Sequence, residues 1–157
     1  MDRGPPARPH RDFVQAVIAY IDSSVVLRII LGQPNPLAEW DELELGVSNR
    51  LLRIECFRTL DRFWREGDLT DVQLSEKRSD VEMILKHLAL VQFDQRLFEI
   101  AAQPFPVVIA SLDAIHLAAA IVYREKQPAD ERPIVIATHD IQLAKAARSL
   151  NFNVLGA

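Results

Sequence analysis

A single cysteine, Cys56, stands in 157 residues, so no intramolecular disulfide can form and no zinc site can be built on paired thiolates. That usage fits a reducing cytoplasm, which is the expected compartment. Only five glycines occur, none in a Walker-type or Rossmann pattern, so a nucleotide cofactor is not expected. There is no nucleophile elbow, H-E-x-x-H or C-x-x-C, which leaves covalent catalysis without an obvious player. No apolar run approaches the roughly 20 residues of a membrane span, and "MDRGPPARPHRDF" lacks the apolar centre of a signal peptide. No membrane partner is expected. The formal net charge of -4 argues against a domain that holds nucleic acid by bulk positive charge, although it says nothing about a local patch.

What is present is the composition of a soluble globular domain, 49% hydrophobic and 25% charged, long enough for one sizeable core and too short for two. Pro5, Pro6, Pro9 and Gly4 mark residues 1–15 as a flexible lead to a single domain over residues 16–157. Short apolar runs read as strands: "VIAYI" (17–21), "LELGV" (43–47), "LALV" (88–91), "PIVIA" (133–137) and "FNVL" (152–155). Helical patterns fill the gaps. "SSVVLRIIL" stops at Gly32 and Pro34. Asn35 and Pro36 offer a cap and first position for a short helix "PLAEWDEL", and residues 49–66 form a strong helix closed by Gly67. Thr70 with Gln73 has capping-box spacing. Asp94 and Ser111 open two further helices, and "DIQLAKAARSL" is the last. Alternating strands and helices predict one α/β domain with a parallel sheet covered on both faces.

Open sheets of this kind bind ligands beyond the carboxyl ends of their strands. Asp22 follows "VIAYI", Asp140 follows "PIVIATH", Asp113 begins a helix after "PFPVVIAS", and Glu55 lies about two turns into the helix after "LELGV". Each aspartate taken singly reads as a helix cap, a role that stabilises by about 0.5–2 kcal/mol. Glu55 is too far from Ser48 or Asn49 to cap, and alone it reads as a surface glutamate paired with Arg58 or Arg62.

The combination points elsewhere. Three or four carboxylates in one crevice repel one another, and a hard divalent cation such as Mg²⁺ or Mn²⁺ resolves the repulsion because it prefers oxygen ligands. Such a site suits phosphodiester hydrolysis, since the metal acidifies a water, orients it and neutralises phosphate charge.

Ser23, Ser24 and Thr138 are candidates to orient the carboxylates by hydrogen bonds. His116, one turn after Asp113, reads first as a hydrogen-bonded core residue, and His139 as loop surface. Arg58, Arg62 and Arg65 follow Glu55 at spacings of 3, 7 and 10. They read as a solvated face interleaved with Asp61 and Glu66, or as holders of RNA phosphates.

"AYIDSSVVLRIIL", "VSNRLLRIECFRTL", "SLDAIHLAAA" and "IATHDIQLAKAARSLNFNVLGA", in that order, resemble the PIN-domain ribonucleases, most closely the VapC toxins of bacterial toxin–antitoxin pairs. The resemblance spans roughly residues 17–157. It implies a small parallel α/β/α sandwich and a Mg²⁺- or Mn²⁺-dependent endoribonuclease, usually dimeric and inhibited by a cognate VapB antitoxin. The family acids map to Asp22, Glu55, Asp113 and Asp140, and its hydroxyls to Ser23 or Ser24 and to Thr138. This chain has "VVIAS" where many members carry a basic residue before the third motif. A haloacid-dehalogenase-type phosphatase with Asp22 as nucleophile is disfavoured, because that family wants a second aspartate where Ser24 stands. The alternative from another class is a catalytically silent PIN-like module for RNA or protein binding.

Overall fold

The computed structural model describes residues 17–128 and 133–157, and the lead expected over residues 1–15 lies outside them. The strands are β1 (Val17–Ile21), β2 (Leu43–Asn49), β3 (Ala89–Val91), β4 (Val135–Ala137) and β5 (Val154–Leu155). The helices are α1 (Ser23–Ile30), α2 (Leu51–Arg65), α3 (Asp71–Lys86), α4 (Gln95–Ala101), α5 (Ser111–Lys126) and α6 (Ile141–Ser149). All five strands expected from the sequence form. They pair in parallel in the order β3-β2-β1-β4-β5.

This order reverses direction once. The chain steps outward from β1 to β3, then returns to lay β4 on the other side of β1. Crossovers between parallel strands keep one hand, so the reversal sends successive helices to opposite faces. Side chains on β1 alternate accordingly: Ala19 and Ile21 pack with Val25, Leu52 and Leu60, whereas Ile18 and Tyr20 pack with Leu97, Leu117 and Leu143. Helices α1, α2 and α3 therefore cover one face, and α4, α5 and α6 the other. The result is a three-layer α/β/α sandwich whose strand order switches between β1 and β4, where a crevice opens beyond the strand ends. Among the described residues no helix is long and apolar enough to cross a membrane.

Local signals hold at several ends. Thr70 and Gln73 form a reciprocal capping box on α3, Gly67 follows α2 with φ +84°, and Asp94 caps α4 through the Leu97 amide. Two expectations fail. No α-helix forms over "PLAEWDEL"; the segment holds only a 3₁₀ turn at Trp40–Glu42. Asn35 takes φ +55° instead of capping, because the following proline disfavours the right-handed helical region and asparagine tolerates the left-handed one. The second helix begins two residues later than the pattern suggests, because Ser48 and Asn49 stay in β2, fully buried. Glu55 is thus little more than one turn into α2, not two.

Gly156, after β5, has φ +89°, and a Cβ there would lie 2.8 Å from the Thr138 carbonyl oxygen and 3.2 Å from the His139 ring. Gly32 shares the backbone strain at φ +62° but faces open space. Gly156→Ala is expected to lower stability in urea by more than about 1 kcal/mol and by more than Gly32→Ala does, since it adds overlap to the conformational cost.

Candidate active site

Asp22 directly follows β1 and caps α1, and it is 4% exposed. Its Oδ2 accepts from the Ser24 hydroxyl at 2.6 Å, the Thr138 hydroxyl at 2.9 Å and, more weakly, the Ser24 amide at 3.4 Å. Those two hydroxyls in turn accept backbone amides of the loop after β4: His139 N–H on Ser24 Oγ and Asp140 N–H on Thr138 Oγ1, both at 2.9 Å. The network ties the ends of β1 and β4 together and consumes one oxygen of Asp22. Its Oδ1 faces the crevice, 3.9 Å from His116 Nε2. Ser24, and not Ser23, is the orienting hydroxyl; Ser23 makes no side-chain hydrogen bond among the described residues.

Glu55 reaches the same place from α2. Its Oε2 accepts from His116 Nε2 at 2.5 Å, so its partner is a buried imidazole and neither Arg58 nor Arg62. His116 is 1% exposed, and its Nδ1 lies 2.9 Å from the Tyr20 hydroxyl, which also accepts from Asn49 Nδ2 at 2.6 Å. Asn49 Oδ1 takes the Leu51 amide at the start of α2. A chain of polar groups thus runs from the first turn of α2 through β1 and α5 back to Glu55. Burial above all, with the charge of Asp22, holds the Tyr20 hydroxyl well above its usual range, so it stays a neutral donor. With Nε2–H on the carboxylate, Nδ1 is then the natural acceptor for the Tyr20 proton. Burial alone would lower the His116 pKa, but the Glu55 hydrogen bond and the charges of Glu55, Asp22 and Asp113 outweigh it and raise it.

Asp140 caps α6 with a single oxygen, Oδ1, which accepts from the Gln142 and Leu143 amides at 2.8 and 2.9 Å. Oδ2 has no hydrogen bond among the described residues. Asp113 does not cap: Ala110 holds that position, and Asp113 is the third residue of α5. It makes no hydrogen bond among the described residues. Desolvation first, then the charges of Asp140 and Asp22, raise its carboxyl to about 6, while His116 pulls the other way.

Asp113 thus feels the charges of Asp140, Asp22 and Glu55, and no lysine or arginine is paired to any of the four acids among the described residues. The Asp22 and Glu55 carboxylates and His116 each offer an atom within 4.8 Å of the others. At an effective dielectric of about 20, two like charges 4 Å apart repel by about 4 kcal/mol, and one imidazole brings at most a single positive charge against those of Glu55, Asp22 and Asp113. Free carboxylate oxygens in a half-buried, electronegative crevice fit a hard divalent cation.

A parallel α/β/α sandwich with acids gathered at its switch point is the class of protein that fold and site define. The family model described as the PIN domain matches residues 19–149, and the chain belongs to that family, whose members are generally nucleases. A search of curated proteins finds no match.

Sequence reasoning placed His116 first as a core histidine, with a route to the same edge as Asp113, and missed Tyr20 and Asn49. His116 is indeed a buried, hydrogen-bonded residue, and also the one that holds Glu55. The only available signal was its one-turn spacing from Asp113. His139 is half-buried, its Nδ1 donating to the Gly156 carbonyl at 2.8 Å. The lone thiol of Cys56 is fully buried, and burial, helped by Glu55 and Asp22, pushes it up to about 12, which leaves it unreactive.

Two outcomes follow from this geometry. Thr138→Val removes a donor to a buried carboxylate and is expected to cost about 1.5–3 kcal/mol in denaturant unfolding. A carboxyl raised from 3.8 unfolded to about 6 folded makes the fold less stable as pH climbs through that window. In chelator, Asp113→Asn should therefore raise Tm at neutral pH, and the gain should vanish below about pH 4.

Proposed function

We propose that this PIN domain is a Mg²⁺- or Mn²⁺-dependent endoribonuclease and the toxin of a type II toxin–antitoxin pair, acting in the cytoplasm as a homodimer and restrained by a cognate VapB-like antitoxin. The observation that carries the nuclease reading is the convergence of Asp22, Glu55, Asp113 and Asp140, each with an oxygen left free of hydrogen bonds, in a crevice without a paired lysine or arginine. The toxin reading is supported by the four VapC-like motifs in order.

A divalent cation, when bound, supplies Lewis acidity toward the phosphate and the means to ionise water near neutral pH. Asp22 and Asp113 would be its direct ligands, with Glu55 and Asp140 completing the set directly or through water. Ser24 and Thr138 fix the Asp22 carboxylate so that only Oδ1 is presented. His116 fixes Glu55 Oε2 and leaves Oε1 to the crevice, where it can accept a proton from an attacking water. The rigid setting of these oxygens would help hold an attacking water in line with the scissile bond.

Asp22→Ala and Asp113→Ala are each expected to abolish Mn²⁺-dependent RNA cleavage while circular dichroism shows a folded chain; undiminished cleavage by either overturns the assignment. Wild type should also show carboxylate-dependent Mn²⁺ binding by calorimetry, which a silent RNA- or protein-binding module would lack. Expression of wild type beside Asp22→Ala, with sequencing of cleaved RNA ends, tests toxicity and substrate together.

A further inference from the structure

The three arginines on α2 line one shallow cleft with Asp61 and Glu66, but they differ in how they are paired. Arg58 and Arg65 both turn to Asp61, at 3.5 and 3.1 Å. Arg62, between them, makes no ion pair among the described residues, and its guanidinium lies 5.4 Å from the centre of the Phe63 ring. On α1, Arg28 is half-buried and donates from Nη1 to the Asn35 carbonyl at 3.2 Å, again without a carboxylate partner among the described residues. Arg28 and Arg62 line the same cleft of about 350 Å³, whose walls include Ser24, His139 and Asp140.

That cleft adjoins the acidic crevice. Ser24 binds the Asp22 carboxylate and Asp140 is one of the four acids, so the two spaces share a wall. Arg28 stands one helical turn beyond Ser24 on α1, and Arg62 two turns beyond Glu55 on α2, which is roughly 6 and 10 Å along the respective axes. Unpaired guanidinium groups this close to four carboxylates are informative. A strand whose scissile phosphate lies in the crevice must bring its next phosphates past Asp140, and that repulsion needs positive charge held where it cannot collapse onto the acids. Arg28 meets this requirement because the Asn35 carbonyl anchors it. A planar guanidinium is also the side chain best matched to two phosphate oxygens.

We propose that the cleft between α1 and α2 is a phosphate-binding subsite in which Arg28 and Arg62 hold the backbone of single-stranded RNA beside the carboxylate crevice. The inference rests on the ribonuclease reading and deepens it: this subsite sets where the strand runs, on the Asp140 side of the crevice. Arg62 reaches it without an ion pair among the described residues, whereas Arg58 and Arg65 share the single charge of Asp61. The contacts are to phosphate, so they position the strand without reading its sequence.

The test measures binding of a short mixed-sequence RNA by fluorescence anisotropy in chelator across a salt series, together with kcat and KM for its cleavage in Mn²⁺. Each lost phosphate contact on a single strand should flatten the slope of log K against log salt by about 0.7, so Arg28→Ala with Arg62→Ala should flatten it by about 1.4. KM should rise about tenfold with the loss concentrated in KM, Mn²⁺ affinity should hold, and Arg58→Ala should behave as wild type. The Arg28→Lys, Arg62→Lys pair should recover most of the slope, which separates lost charge from lost packing. An unchanged slope in the double alanine variant, with wild type cutting RNA normally, overturns the subsite alone. A wild type that neither binds nor cuts RNA overturns the ribonuclease reading and the subsite with it. RNA binding retained while affinity for a polyglutamate peptide is lost would give the cleft to an acidic protein partner instead.

Discussion

Like charges gathered at the carboxyl edge of a small parallel sheet repel, and the rest of this molecule is arranged around holding them there. The anchor is Asp22, buried at the end of the central strand, one oxygen bound by two hydroxyls that come from opposite sides of the switch point. Because those hydroxyls also accept the His139 and Asp140 amides, the same few bonds that satisfy a buried carboxylate join β1 to β4 and set the start of α6. Removing one of them loosens both the charge and the sheet edge. The close approach of Gly156 to the Thr138 carbonyl and the His139 ring extends this dependence to the far strand.

A second economy lies in how each carboxylate divides its two oxygens. Asp22 and Asp140 spend one on local hydrogen bonds and Glu55 spends one on His116, so three acids are oriented without being neutralised. Capping and ligation are usually weighed as rival explanations for an acid at a helix start. Here the bonds to the first-turn amides fix the direction in which the second oxygen points, and the two roles are compatible. Asp113 is the exception: it lacks such bonds, and its raised pKa reflects burial and the charges opposite it. The field these acids create also gives meaning to the unpaired arginines on α1 and α2, which flank it without quenching it.

Much of this was legible in the chain. Five apolar runs separated by helical patterns predicted a parallel sheet, and all five became strands. Asp22 and Asp140 could be placed because they follow such runs within three residues, where strand-to-helix loops must converge. Glu55 was harder: it sits inside a helix, and its relevance rested on its combination with the three aspartates and on the motif resemblance. The "PLAEWDEL" segment misleads because Asn35 and Pro36 read as a cap and first helical position, whereas an asparagine flanked by prolines takes the left-handed conformation instead.

The sequence by itself determined the alternation of strands and helices and the caps at Asp22, Thr70, Asp94 and Asp140, because these depend on residues within a turn or two of one another. Only the tertiary structure decided that Glu55 pairs with His116, 61 residues away, that Ser24 and not Ser23 meets Thr138 across 114, and that Arg62 of α2 lines one cleft with Arg28 of α1. Those choices depend on which faces of separate helices the sheet brings together. No local pattern encodes that, because the register and direction of β1 against β4 are settled by packing on both faces of the sheet.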